Sequence, residues 1–185
     1  MVSMFAISDL RSAFKAVALN GSALQFVSSE LRTETLAFKA VEQNAQALKY
    51  VPVAHRTEAV LLKAMSSGVY VLQHIPEESW TEAVALKAVD SYGLALGVIP
   101  LAFRTEVVVT RAVQRNGFAL EFVPGCLLTE ELVIRAVRDC GVALKYAPLE
   151  FRTEDVSLVA IKNMPEAIEF VPDAVCRSLI LKRGY

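Results

Sequence analysis

Two histidines, three cysteines and a recurring glutamate are the side chains in this 185-residue chain that could do chemistry. A histidine beside a carboxylate or thiol could move protons, a cluster of them could hold a metal, and a row of carboxylates could bind cations. The spacing supports none of these. Cys126, Cys140 and Cys176 fall in three unrelated positions, with no Cys-x-x-Cys pair and no disulfide framework. His74 stands where other copies of a repeat, described next, have Phe26, Tyr50, Phe122, Tyr146 and Phe170, and His55 stands where Leu31, Phe103 and Phe151 pack. Both histidines therefore read as structural substitutes. Gly93 and Gly97 match neither a dinucleotide-binding nor a phosphate-loop spacing. No catalytic residue, metal ligand or cofactor site is assigned, and an enzyme is not expected.

The organisation comes from an internal period. Alanine recurs every 24 residues, at Ala16, Ala40, Ala64, Ala88, Ala112, Ala136 and Ala160. Eight residues beyond each comes Leu24, Leu48, Leu72, Leu96, Leu120, Leu144 and finally Ile168. Proline holds one slot at Pro52, Pro76, Pro100, Pro124, Pro148 and Pro172, with Ser28 in the first copy. A Thr-Glu pair repeats from Thr33-Glu34 to Thr153-Glu154. The units cover 9–32, 33–56 and so on to 176, with 177–185 as a partial capping repeat, and the whole reads as a single helical-repeat domain over 1–185.

Each unit reads as two short helices. Threonine is a good N-cap, and glutamate in the first turn suits the positive end of the helix dipole. In the second copy the apolar positions Leu36, Ala37, Phe38, Ala40 and Val41 follow helical spacing, with Lys39, Glu42 and Gln43 on a polar stripe. The second helix carries Ala47, Leu48 and Val51 and ends at the proline. Asn20-Gly21 and Asn116-Gly117 suggest a left-handed glycine turn, but the glycine slot holds Ala45, Val69 and Pro165 elsewhere. Proline cannot adopt positive φ, so this slot is read as the first residue of the second helix. The asparagine before it is then an N-cap or a single left-handed residue. Helices this short are marginal alone, so the units must stack. The expected fold is all-α: an α-solenoid of seven 24-residue two-helix repeats plus a C-terminal half repeat. Leucine-rich repeats share the period range but need a strand of alternating leucines, which is absent.

Composition narrows the function. With 19 basic and 20 acidic residues, the chain lacks the basic excess of a dedicated nucleic-acid binder. Its 54% hydrophobic content excludes disorder, while evenly spread charges leave no apolar run long enough to span a membrane. A basic ladder (Lys15, Lys39, Lys63, Lys87, Arg111, Arg135) could track a polyanion. Lys39–Glu42, Lys87–Asp90, Arg135–Asp139 and Glu131–Arg135 have helical pair spacing, which favours a solvated, locally neutralised face. A second ladder, Arg32, Arg56, Arg104 and Arg152, precedes the threonine cap and is replaced by Trp80 and Leu128; a tie to the glutamate ladder is expected.

A third slot varies most, reading Ser22, Gln46, Tyr70, Leu94, Phe118, Val142 and Glu166. With the aromatic slot four residues on, it gives an apolar group of Tyr70, Leu94, Val98, Phe118, Phe122, Val142 and Tyr146. Two readings stand: an exposed ridge that binds protein, or a slot buried by curvature in the middle of the array. At the N-terminus, Met1 to Ile7 is largely apolar, which suggests contact with a neighbour or a segment folded back on the first repeat.

The pattern Ala-Val-x-x-Asn-Gly-x-Ala-Leu-x-Phe/Tyr-Val, seen over 16–27 and 112–123 and, with Ala45 for the glycine, over 40–51, resembles a family of short tandem helical repeats catalogued only as a domain of unknown function. That family is common in single-celled eukaryotes, dinoflagellates among them, and in effectors of intracellular bacteria. This chain has proline where the family often has serine, and threonine where it often has aspartate as the cap. The period also matches leucine-rich variant repeats, with a weaker motif match. The resemblance implies a binding or scaffolding role and offers no catalytic residues.

The expectation is a non-enzymatic scaffold that binds other proteins, as an accessory or structural subunit of a larger assembly. Polyanion binding, or the repeat region of an effector, are the alternatives. With no basic-then-apolar leader, an intracellular location, cytoplasmic or organellar, is expected, and a peripheral place on a membrane-protein complex is compatible with it.

Overall fold

Threonine caps set the register of the folded chain. Thr33 Oγ1 accepts the Leu36 N–H, and Thr105, Thr129 and Thr153 do the same for Val108, Leu132 and Val156. From each cap runs an α-helix that the apolar period specifies. The computed structural model describes residues 6–66, 68–176 and 178. Among these, seven α-helices recur: α1 (Leu10–Leu19), α2 (Glu34–Gln43), α3 (Glu58–Met65), α4 (Glu82–Ser91), α5 (Glu106–Arg115), α6 (Glu130–Asp139) and α7 (Glu154–Asn163). The fold is an all-α solenoid of short repeats.

The second helix of each repeat is a 3-10 helix, not an α-helix. Six-residue segments such as Ala45–Tyr50 and Gly117–Phe122 follow each α-helix, and a three-residue 3-10 turn such as Val53–His55 follows the proline slot in most copies. Proline thus stands at the N-cap of a further turn as well as beyond the preceding helix. Asn20, Asn44 and Asn116 are extended, with φ between −149° and −161°, and their side chains cap the 3-10 helix by accepting the N–H of Ser22, Gln46 and Phe118. Their role is the N-cap and not the left-handed residue. The glycine slot is indeed the first helical position, where Pro165 is also accepted.

The chain divides into two compact units, Met1–Ser91 and Tyr92–Tyr185, with the division falling between α4 and the 3-10 helix of its own repeat. In the first unit α1, α2, α3 and α4 pack in sequence, and in the second α5, α6 and α7 do. The repeated leucines and alanines form the core: Leu24, Leu48, Leu96, Leu120, Leu144, Ala40, Ala64 and Ala136 are buried.

Where glycine holds this slot, the next repeat approaches closely. A Cβ on Gly117 would lie 2.4 Å from the carbonyl oxygen of Ala136 in the next repeat, and Gly21 and Gly141 meet Ala40 and Ala160 in the same way. The glycine N–H is also read across repeats: Gln43 accepts from Gly21 at 2.5 Å, Asp139 from Gly117 at 2.7 Å and Asn163 from Gly141 at 2.7 Å. The third repeat departs from the others at the end of its α-helix. α3 stops after eight residues at Met65, and Gly68, in the asparagine position, takes φ +133°.

At the N-terminus, Ile7 pairs in parallel with Val27, its N–H donating to Phe26 at 2.7 Å and its carbonyl accepting from Ser28. The described part of that segment is therefore folded back on the first repeat. Met1 to Phe5 and most of the partial repeat 177–185 lie outside the described residues.

Candidate protein-binding surface

In the second unit the candidate side chains sit on three successive 3-10 helices. Gly93–Val98 carries Leu94 and Val98, Gly117–Phe122 carries Phe118 and Phe122, and Gly141–Tyr146 carries Val142 and Tyr146. Val98 is 60% exposed, and the other five are half-buried. The slot is neither fully covered nor fully open.

Within one repeat the expected pairs do not stack. A 3-10 helix has three residues per turn, so positions four apart are rotated by about 120°. The contacts run between repeats instead. Phe118 meets Tyr146 edge to face, with ring centroids 6.1 Å apart. Phe122 lies over Gly97, where an added Cβ would come within 3.0 Å of the ring. Lys145 covers the ridge from one side, its Nζ 4.6 Å from the Tyr146 centroid and 5.7 Å from that of Phe118. Tyr70 belongs to the first unit. It is 71% exposed and lines a cavity of about 300 Å³ with Gln46 and Gly68, beside the shortened end of α3.

The arginine ladder does not tie to the glutamates. Each guanidinium grips main-chain carbonyls of its own and the following repeat. Arg32 donates to Val27, Gln25 and Tyr50, Arg104 to Ile99, Gly97 and Phe122, and Arg152 to Ala147, Lys145 and Phe170. Arg56 reaches Val51 and His74. Burial lowers the pKa of Arg56 and Arg104 from the ordinary arginine range. The backbone differs with the residue in this slot: ψ is 51–60° at the four arginines but 138° at Trp80 and 129° at Leu128. Sequence did hold a signal for this role. Proline at 100 and 148 removes the N–H that a further 3-10 turn would bring to Gly97 and Lys145, and arginine supplies the donor instead.

The glutamates are instead bound by the threonine of the next repeat: Thr57 Oγ1 donates to Glu34, Thr81 to Glu58 and Thr153 to Glu130. The basic ladder is partly neutralised. Glu42 accepts from Lys39 at 2.8 Å and Lys63 at 3.0 Å, and Lys39 and then Lys63 hold its pKa down at about 2. Glu131 pairs with Arg135 at 3.2 Å. Asp139, expected to pair with Arg135, accepts from the Gly117 N–H.

His55 and His74 are half-buried, and His74 takes part through its carbonyl oxygen. Cys126, Cys140 and Cys176 are free thiols. Among the described residues no group of His, Cys, Asp or Glu could hold a metal ion, and no helix is long and apolar enough to cross a membrane. A second cavity, of about 340 Å³, lies by α5 and α6 and is lined by Val109, Cys126, Leu127, Leu132 and Arg135 among others.

No curated protein and no solved structure matches the chain. Residues 13–56, in the first unit, and 129–175, in the second, match the sequence model of a family described as "Domain of unknown function (DUF4116)". The chain is thus built of tandem helical repeats similar to DUF4116, a repeat family whose function is unknown.

Proposed function

We propose that this chain is a non-enzymatic repeat scaffold that binds another protein through the second-unit ridge of Leu94, Val98, Phe118, Phe122, Val142 and Tyr146. On this reading it is an accessory or structural subunit of a larger assembly inside the cell, in the cytoplasm or an organelle. The observation that carries the reading is the run of exposed Val98 and its partly exposed apolar neighbours over three successive 3-10 helices. At positions 94, 118 and 142 nothing in the repeat requires apolar residues, since Ser22, Gln46 and Glu166 occupy the same slot in other copies. A row of apolar side chains in a slot that accepts polar ones fits a surface that a partner covers.

The test is affinity recovery from the source cell with three chains: wild type, Phe118→Asp, and the double variant Lys39→Glu/Lys63→Glu. The ridge reading predicts protein partners that persist at high salt and are lost only with Phe118→Asp. Recovery of nucleic acid, lost in high salt and with the lysine variant, would instead support polyanion binding.

A further inference from the structure

Two copies, with Trp80 and Leu128 in the arginine slot, leave backbone acceptors without the guanidinium that serves their counterparts. In the second unit, Arg104 binds the carbonyls of Gly97, Ile99 and Phe122, and Arg152 binds those of Lys145, Ala147 and Phe170. The intervening repeat has Leu128 in the arginine slot, and the carbonyls in register are Glu121, Val123 and Tyr146. Among the described residues no donor reaches any of the three. Pro124 has no N–H to offer Glu121, and leucine has no donor to replace the guanidinium.

The start of the chain shows how such a gap is filled. There the arginine slot holds Ser8, and the carbonyl in register with that of Tyr146 belongs to Phe26. The Ile7 N–H serves it at 2.7 Å. In that copy the position takes a donor from outside the repeat. At Tyr146 none is present among the described residues.

We propose that the carbonyls of Glu121, Val123 and Tyr146 are an acceptor site for an arginine side chain of a bound protein, at the edge of the apolar ridge. The guanidinium's planar set of donors can satisfy several carbonyls at once, as Arg104 and Arg152 do in the flanking repeats. Half-buried Phe122 and Tyr146 belong to the same segments, so the arginine is flanked by apolar residues in the partner. The exposed Glu121 carboxylate favours a cation, while Lys145 opposes one. Selectivity comes from donor geometry more than from charge, and lysine is a poor substitute.

The identity of the partner rests on the ridge reading, but the probe does not. The chain is titrated with Ac-Leu-Arg-Leu-NH2 and with Ac-Leu-Lys-Leu-NH2 while backbone amide NMR shifts are followed. The arginine peptide is expected to shift the amides of 122, 123, 125, 146 and 147, with about tenfold weaker binding by the lysine peptide, which loses two or more of the fork's bonds. Leu128→Arg fills the site from within, so it abolishes the response and melts at a higher temperature. Leu128→Lys, read at raised salt, adds charge without the fork and retains the response, which keeps the test valid if the arginine variant folds poorly. No shift in the wild type, equal binding of both peptides, or an undiminished response in folded Leu128→Arg would overturn the proposal. Loss of partner recovery with Phe118→Asp alongside any of these would leave the ridge standing and remove only the arginine site.

Discussion

Arg104 donates from Nη1 to the carbonyl of Phe122, 18 residues further on, at 2.8 Å. This bond ties one repeat's closing turn to the next repeat's 3-10 helix, and its equivalents join Arg32 to Tyr50, Arg56 to His74 and Arg152 to Phe170. The same side chain also holds two carbonyls of its own repeat. A 3-10 segment of six residues has few internal bonds, so a charged donor gripping its end is a principal fastening.

Arg104→Ala should therefore lower stability by about 1.5–3 kcal/mol, the range for hydrogen bonds to a charged group at a partly exposed site. For a chain of this size that is a fall in melting temperature of roughly 3–12 °C. Arg104→Lys should recover less than half of the loss, because an ammonium cannot reach three carbonyls from one position. Thermal unfolding of both variants decides it; full rescue by lysine would mean that charge alone matters.

Thr81 accepts the N–H of Val84 and donates to Glu58 at 2.6 Å. A hydroxyl can do both at once, and a carboxylate can only accept. Aspartate is as good an N-cap as threonine in isolation, yet Thr81→Asp should cost about 1 kcal/mol here by losing the donor and facing Glu58. Thr81→Ser should be close to neutral. Denaturant midpoints give the order; aspartate at or above threonine would show that the inter-repeat bond contributes nothing.

Two glycine substitutions should diverge. Gly117→Ala drives a Cβ onto the Ala136 carbonyl and should destabilise by about 1–3 kcal/mol, as other overpacked sites do. Gly125→Ala meets nothing within 4 Å and should be neutral or slightly stabilising through the unfolded chain. Equal effects in thermal melts would contradict the close-approach explanation.

The carboxylate of Glu42, between Lys39 and Lys63, has a pKa held down to about 2 from 4.5. A depressed folded-state pKa contributes stability that is present above 4.5 and is lost as pH falls through about 2. Glu42→Gln should thus lower the melting temperature at neutral pH and flatten its decline over that acid window. The group is exposed, so added salt should shrink the difference. A melting curve that tracks wild type at every pH would remove the role given to this cluster.

Much of this architecture was legible in the residues. The alanine and leucine period placed the buried core, and the threonine slot placed the start of each α-helix. Pro165 alone sufficed to assign the glycine slot to the first helical position. The 3-10 character was not legible, because six residues ending at a proline contain too little periodicity to separate three residues per turn from 3.6. That miss carried into the ridge: Phe118 and Phe122 share a face in an α-helix but not in a 3-10 helix, and Phe118 turns to Tyr146 instead. The arginine ladder was paired with glutamate because sequence shows charged side chains and hides the carbonyls that proline leaves without a donor.

The central claim is that the second-unit ridge is covered by a protein. Val98 is 60% exposed on the ridge, and Val107, on α5, is 58% exposed outside it. A photo-cross-linking side chain at either position samples equally open apolar sites, so general stickiness affects both alike. In the source cell, position 98 should cross-link to a defined protein, position 107 should not, and Phe118→Asp should abolish the product. Equal products from both positions, products unaffected by Phe118→Asp, or cross-links only to nucleic acid would contradict the account.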